Sequence, residues 1–194
     1  DPVTITVSPA TEVPWDDVRT VFGTRGDPSR CWCQWFKVTN AQWGNTEPAQ
    51  FERMLCDQVS AATVSPGLIA YSDGEPVGWA AVEARPGYRR LTTMKVAAAS
   101  PEPQGDPAVW AVTCFVVRVG YRKRGVSAAL LAGAVEFARS HGARLLEAYP
   151  VDVAEKKTSS ADLFHGALST FLSAGFEVVA RPSDGRAVVQ LALQ

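Results

Sequence analysis

The spacing of hydrophobic and polar positions changes several times along the chain, and each change predicts an element. Residues 110–117, Trp-Ala-Val-Thr-Cys-Phe-Val-Val, are almost wholly apolar and rich in β-branched and aromatic types. A run so short with that composition predicts a buried strand. From Gly125 onward the period becomes helical, with Val126, Leu130, Ala134, Phe137 and His141 recurring three or four residues apart. Upstream, 3–7 alternates as a first strand, and Pro14-Trp15-Asp16-Asp17 opens a short helix with Pro and acids in its first turn. Phe51, Leu55 and Val59 share one face of a helix over 47–62, with Thr46 as its expected N-cap. Segments 68–71 and 76–84 flank Ser72-Asp73-Gly74-Glu75, whose Asp-Gly pair predicts a hairpin.

The rest of the pattern is less regular. Residues 89–96 read as a short edge strand and 97–107 as a Pro/Ala/Ser/Gly loop. Gly142 ends the long helix, and 144–149 reads as the next strand, buried between neighbours. Residues 151–160 predict a polar loop, 162–173 a helix closed by Gly175, and 176–180 with 187–193 a last antiparallel pair. Segment 23–45 has no period at all but carries Trp32, Trp35, Phe36 and Trp43. A loop this long and aromatic either lids the core as a satellite cluster or walls a substrate pocket.

Composition narrows the class. With 194 residues, 46% hydrophobic and 20% charged, the chain can fill one core, and a single domain over 1–194 is expected. The net charge of −1 gives no global field toward nucleic acid or an anionic membrane, so neither is an expected partner. No apolar run approaches the ~20 residues of a membrane span. Asp1-Pro2-Val3-Thr4 carries neither the basic nor the apolar stretch of an export signal, so a cytoplasmic location is expected. Cys31, Cys33, Cys56 and Cys114 lack metal-ligand spacing, and His141 and His165 lie far from them. Reduced thiols and no metal are the expectation.

The candidate chemistry sits in the turn Arg122-Lys123-Arg124-Gly125-Val126-Ser127. Three cations at a helix N-terminus oppose the macrodipole by ~0.3–1 kcal/mol each at exposed sites. Free backbone N–H groups point the same way. Either this is a solvated basic turn, or a polyanion docks there on amides and cations together. The G-x-x-x-x-G spacing from Gly120 to Gly125 mimics a P-loop, but Val126 stands where that motif needs Lys. A nucleotide triphosphatase is therefore excluded.

Arg122-x-x-Gly125-x-Ser127 resembles the R/Q-x-x-G-x-G/A signature of the GNAT N-acetyltransferase superfamily. The hairpin ending Pro76-Val77-Gly78-Trp79 and Phe171-x-x-x-Gly175-Phe176 extend the resemblance over nearly the whole chain. It implies an α/β fold, with a twisted, mostly antiparallel mixed sheet flanked by helices. The central strand would splay from the strand at 144–149 to open an acyl-CoA cleft. It also implies that Val116 and Val117 pair with pantetheine amides, while Arg122, Lys123, Arg124, Gly125, Val126 and Ser127 hold the pyrophosphate of acetyl-CoA. The acceptor would be a primary amine, of a small molecule or a protein lysine, acetylated directly in a ternary complex. Assembly as a homodimer is left open.

Two departures bear on the chemistry. Phe171 stands where such proteins often carry a Tyr that protonates the departing thiolate, and Phe164 where an Asn is common. The central strand has no carboxylate, although some relatives carry their base there. Those losses keep a second reading alive, a non-catalytic coenzyme-A-binding regulatory domain. Acyl transfer to an amine needs a proton acceptor. Glu83 is the first candidate base, and His165, able to titrate near neutral pH, the second. Cys114 as an acyl-carrying thiol, and Tyr149 and Asp152 at the end of the next strand, are weaker alternatives.

Overall fold

A computed structural model describes residues 3–152 and 166–194. The apolar runs assemble as one seven-stranded sheet: β1 (Ile5–Pro9), β2 (Gly67–Ser72), β3 (Glu75–Ala84), β4 (Val109–Val117), β5 (Leu145–Ala148), β6 (Glu177–Ser183) and β7 (Arg186–Ala192). The order across it is β1-β2-β3-β4-β5-β7-β6. Every pairing is antiparallel except β4 with β5. A parallel pair needs a crossover, and the helix α6 (Val126–Ser140) supplies it. This is the mixed, mostly antiparallel sheet flanked by helices that the sequence predicts.

The alternation along β4 builds two cores. Trp110, Val112 and Phe115 pack toward α6 with Leu130, Leu131 and Ala134. Val116 and Cys114 turn to the opposite face, where α1 (Trp15–Phe22) and α4 (Pro48–Ala61) contribute Phe22, Phe51 and Leu55 around Trp79. Burying such side chains contributes roughly 1.5–3 kcal/mol each. A third cluster, with Phe36, Tyr88, Leu91, Ala111 and Tyr149, continues this face past β3. Gly67 is needed beneath Trp79: a Cβ there would lie 2.3 Å from the Trp79 ring and 2.7 Å from the Ala80 carbonyl oxygen. Because the second neighbour is backbone, Gly67→Ala should cost roughly 1–3 kcal/mol as overpacking. Thermal melting should show a drop of several degrees, and an unchanged midpoint would refute this packing.

Four details differ from the sequence expectation. Helix α4 starts one residue later than a Thr46 cap requires. Pro48 takes its first turn, Gln50 accepts from the Glu47 N–H at 2.9 Å, and the Thr46 hydroxyl instead donates to the Gln42 carbonyl. Segment 23–45 is not a plain loop but holds α2 (Pro28–Cys31), a 3-10 turn at Trp35–Lys37 and α3 (Asn40–Asn45). Residues 89–96 form a 3-10 turn (Arg89–Thr92) leading into α5 (Lys95–Ala98), not a strand. Both edges of β4 near there are occupied, and Arg90 ties the turn to the aromatic segment by donating to the carbonyls of Trp35 (2.6 Å) and Val38 (3.0 Å). The C-terminal helix starts later than expected, as α7 (Leu168–Ser173), because Gly166 is left-handed and Ala167 is extended and bridges Val151; residues 162–165 of the expected helix and 153–160 of the loop lie outside the described residues.

What positions the site is where β4 and β5 part. They pair only from Val109 with Leu145 to Val112 with Ala148. Beyond Val112, β4 continues for five residues bound to β3 alone. A bulge falls at the same place, between Ala81–Cys114 and Val82–Val112, and leaves Thr113 outside the register. Below the fork a buried network fixes the strands: Glu147, fully buried, accepts from Arg85 (2.8 Å), Tyr149 (2.8 Å) and Gln190 (2.7 Å). A buried carboxylate persists only with such partners.

Candidate active site

The turn after β4 has the shape the sequence suggests. Gly125, the N-cap of α6, sits at φ +84, and a Cβ there would meet nothing within 4 Å. The first amides of α6 have no intrahelical acceptor, and they border a cavity of about 280 Å³. Val117, Tyr121, Arg122, Gly125 and Ser127 line it, with Thr170 from α7. Lys123 also lines it, at φ +59. Arg124 instead lies over the Tyr121 ring at 5.7 Å, and Arg118 does so at 5.5 Å while pairing with Glu75 at 2.7 Å. The turn thus presents backbone, Arg122 and Lys123 to the cavity.

Val116 and Val117 lie on the stretch of β4 that β5 leaves unpaired, opposite Trp79 and Gly78 of β3. A second cavity, of about 510 Å³, opens on their other side against the α1–α2 connection, with Thr24, Arg25 and Arg122 on its wall. The two cavities flank one exposed strand end.

Glu83 sits across the ladder from Ala111, two residues before the bulge. Its Oε2 lies 2.6 Å from Lys37 Nζ, and the two side chains are 25% and 16% exposed. Burial raises the Glu83 pKa, and the Lys37 charge opposes that rise. Lys37 also lies 5.8 Å from the centre of the Tyr88 ring. Among the described residues, five buried side-chain polar atoms lack a hydrogen-bond partner. Four belong to this region: Trp79 Nε1, Tyr88 hydroxyl, Thr113 Oγ1 and Glu83 Oε2, the last held by charge without hydrogen-bond alignment. These groups face one another rather than standing alone: Tyr88 interacts with Thr113, Trp79 with Cys33, and Glu83 with Lys37.

The thiols here have unequal characters. Cys33 is held below the usual thiol range chiefly by the hydrogen bond from Cys114, and that same contact, with burial, keeps Cys114 protonated well above it. Cys31 is pushed up to about 11 by burial. All four cysteines are free. A thiol as protonated as Cys114 is a poor nucleophile, which argues against it as an acyl carrier. Tyr149 is no cleft group either: its hydroxyl donates to Glu147. Asp152 pairs with Arg181 at 3.1 Å. Phe171 is fully buried, edge-on to Phe115 (6.0 Å) and Phe176 (5.2 Å), so that position is hydrocarbon throughout. His165 and Phe164 lie outside the described residues.

The structure places Val117 and most of the Arg122–Ser127 turn around one cavity, Val116 at the second, and Glu83 on β3 opposite Ala111. Lys37, Tyr88 and Cys33 were missed by sequence reading. For Lys37 and Cys33 the signal was the aromatic density of 31–43, which fixed no partner; for Tyr88 there was no signal. No group of three His, Cys, Asp or Glu among the described residues could hold a metal ion, and no helix among them is long and apolar enough to cross a membrane.

The family model described as acetyltransferase (GNAT) family matches residues 32–166. No curated protein matches the chain. Among solved structures, yncA from Salmonella typhimurium, determined with its cofactor acetyl-CoA, is similar at TM-score 0.55 and 13% identity, covering 100% of this chain and 95% of its own. The GNAT domain of S. lividans PAT is similar at TM-score 0.57 and 18% identity, covering 96% and 89%. A GCN5-related N-acetyltransferase from Kribbella flavida gives 0.55 and 18%, covering 97% and 98%. At these identities the likeness establishes the fold.

Proposed function

Because the chain belongs to the acetyltransferase (GNAT) family, we propose that it transfers the acetyl group of acetyl-CoA to a primary amine, directly and in a ternary complex. The single observation that carries this is the fork: β4 leaves β5 at Val112, runs on alone to Val117, and the turn that follows ends in a glycine-opened helix N-terminus at Gly125. An extended pantetheine arm with a pyrophosphate at its end fits that sequence of features. In this reading Val116 and Val117 take the arm as a missing strand would. The Gly125, Val126 and Ser127 backbone holds the pyrophosphate, with Arg122, Lys123 and Arg124 supplying charge.

The acetyl thioester then reaches the bulge at Thr113, where a donor to the developing oxyanion is needed. Glu83 takes the proton of the attacking amine. The amine nitrogen bonds to the carbonyl carbon, the C–S bond breaks, and coenzyme A leaves as thiolate. With Phe171 apolar, that thiolate is protonated by water or by His165. His165→Ala should lower the maximal rate at least ~10-fold with acetyl-CoA affinity nearly intact, as for a lost general acid. An unchanged rate would return the step to water.

The acceptor is a small-molecule amine or a protein lysine, and the proposed unit is the whole span 1–194. Thiol release from acetyl-CoA, measured with a panel of small amines and a lysine peptide, tests the reading. Amine-dependent release supports it. Tight acetyl-CoA binding with no release for any amine would favour the coenzyme-A-binding regulatory domain instead.

A further inference from the structure

The irregular aromatic segment leaves one polar product at its end. Lys37 closes the 3-10 turn Trp35–Lys37 and reaches 2.6 Å from Glu83 Oε2, with only 16% of its side chain exposed. It is held from behind. Gln34, fully buried, and Gln58 of α4 exchange amide hydrogen bonds at 3.0 and 2.7 Å, and Lys37 donates to the same Gln58 oxygen at 3.4 Å. Gln34 also donates to the Trp32 carbonyl at 3.1 Å, in a stretch where Trp32 and Cys33 both adopt left-handed backbone. Such conformations persist only when surrounding packing over-determines them. Trp32 provides that packing, stacked on Phe22 at 4.9 Å.

An ordinary surface ion pair requires none of this. The two glutamines carry no charge of their own; Gln34 holds Gln58, and Gln58 accepts from the lysine ammonium. We propose that Lys37 is the positioning residue for Glu83, and that the 31–37 segment with Gln58 is the scaffold that delivers it. This rests on Glu83 being the base. Lys37 holds one carboxylate oxygen and fixes the side chain, leaving the other oxygen for the acceptor's proton. Its charge also opposes the rise that burial imposes on the Glu83 pKa. The other titratable groups facing Glu83 are Tyr88, from the turn after β3, and Cys33, on the segment itself; Cys114 lies beyond them on β4. Lys37 is the only cation in that group among the described residues, so its removal is not compensated.

The sign is definite. An opposite charge beside a carboxylate favours its ionised form, so losing Lys37 moves the acid limb of the pH–rate profile upward. In the full chain, Lys37→Met and Lys37→Gln should both show this shift and a lower kcat at neutral pH, with the KM for acetyl-CoA unchanged. Lys37→Arg should restore most of the wild-type profile. Lys37→Gln retains a hydrogen-bonding side chain, so a folding defect confined to the Met variant leaves the test intact. If both variants keep the wild-type profile while Glu83→Gln is inactive, Lys37 has no positioning role and the base assignment survives. If Glu83→Gln is itself fully active, the base assignment fails and the role of Lys37 fails with it.

Discussion

Gly125→Glu should abolish acetyl-CoA binding by a protein that still folds. The position tolerates no ordinary side chain for two reasons that the structure separates. At φ +84 an L-residue is strained. The space over its Cα is open, and it lies in the wall of the 280 Å³ cavity at the head of α6. A glutamate there places a negative charge where the pyrophosphate must approach the amides. Hydrogen bonds to charged groups contribute roughly 1.5–3 kcal/mol each, so losing two amounts to at least ~100-fold in affinity at 1.4 kcal/mol per decade. Calorimetry on wild type should also show affinity falling as salt rises. Gly125→Ala separates the effects, since it carries the strain without the charge and should bind more tightly than the Glu variant. A folded Gly125→Glu protein with wild-type affinity would remove the pyrophosphate from this turn.

Glu83→Gln should reduce the rate by ~10²–10⁴, the range for a lost general base, with little change in acetyl-CoA affinity. The remaining rate should lose its acid limb, because the group whose ionisation set it is gone. Burial raises the Glu83 pKa and Lys37 restrains it, so wild-type activity should rise with pH through a value above that of an exposed carboxylate. A wild-type profile flat through that region would instead point to transfer by positioning and amide electrostatics alone. Glu83→Gln leaves Lys37 without its partner, so the variant's stability should be measured alongside its rate.

Much of this was legible in the chain itself. The strand at 110–117, the basic turn and the helix after Gly125 were readable because each rests on local rules: an apolar run, a glycine at a helix start, and a 3.6-residue period. The hairpin around Asp73-Gly74 followed from turn chemistry in the same way. Those elements carry the cofactor side of the site, which is built from near neighbours in sequence.

The acceptor side is another matter. Glu83 could be named only as one carboxylate on a strand; that it stands opposite Ala111 beside a bulge is a fact of register between strands. Lys37 meets it across 46 positions of chain, through a segment with no period to read. Residues 89–96, strand-like by pattern, turned helical because Arg90 found carbonyls on that segment and β3 and β5 already take both edges of β4 over Val109–Val112. The sequence determined most of the elements and the turn over 122–127, since backbone conformation and periodic burial are encoded within a few residues. The tertiary structure alone decided which charges meet, because an ion pair such as Lys37–Glu83 depends on packing between segments that carry no local record of each other.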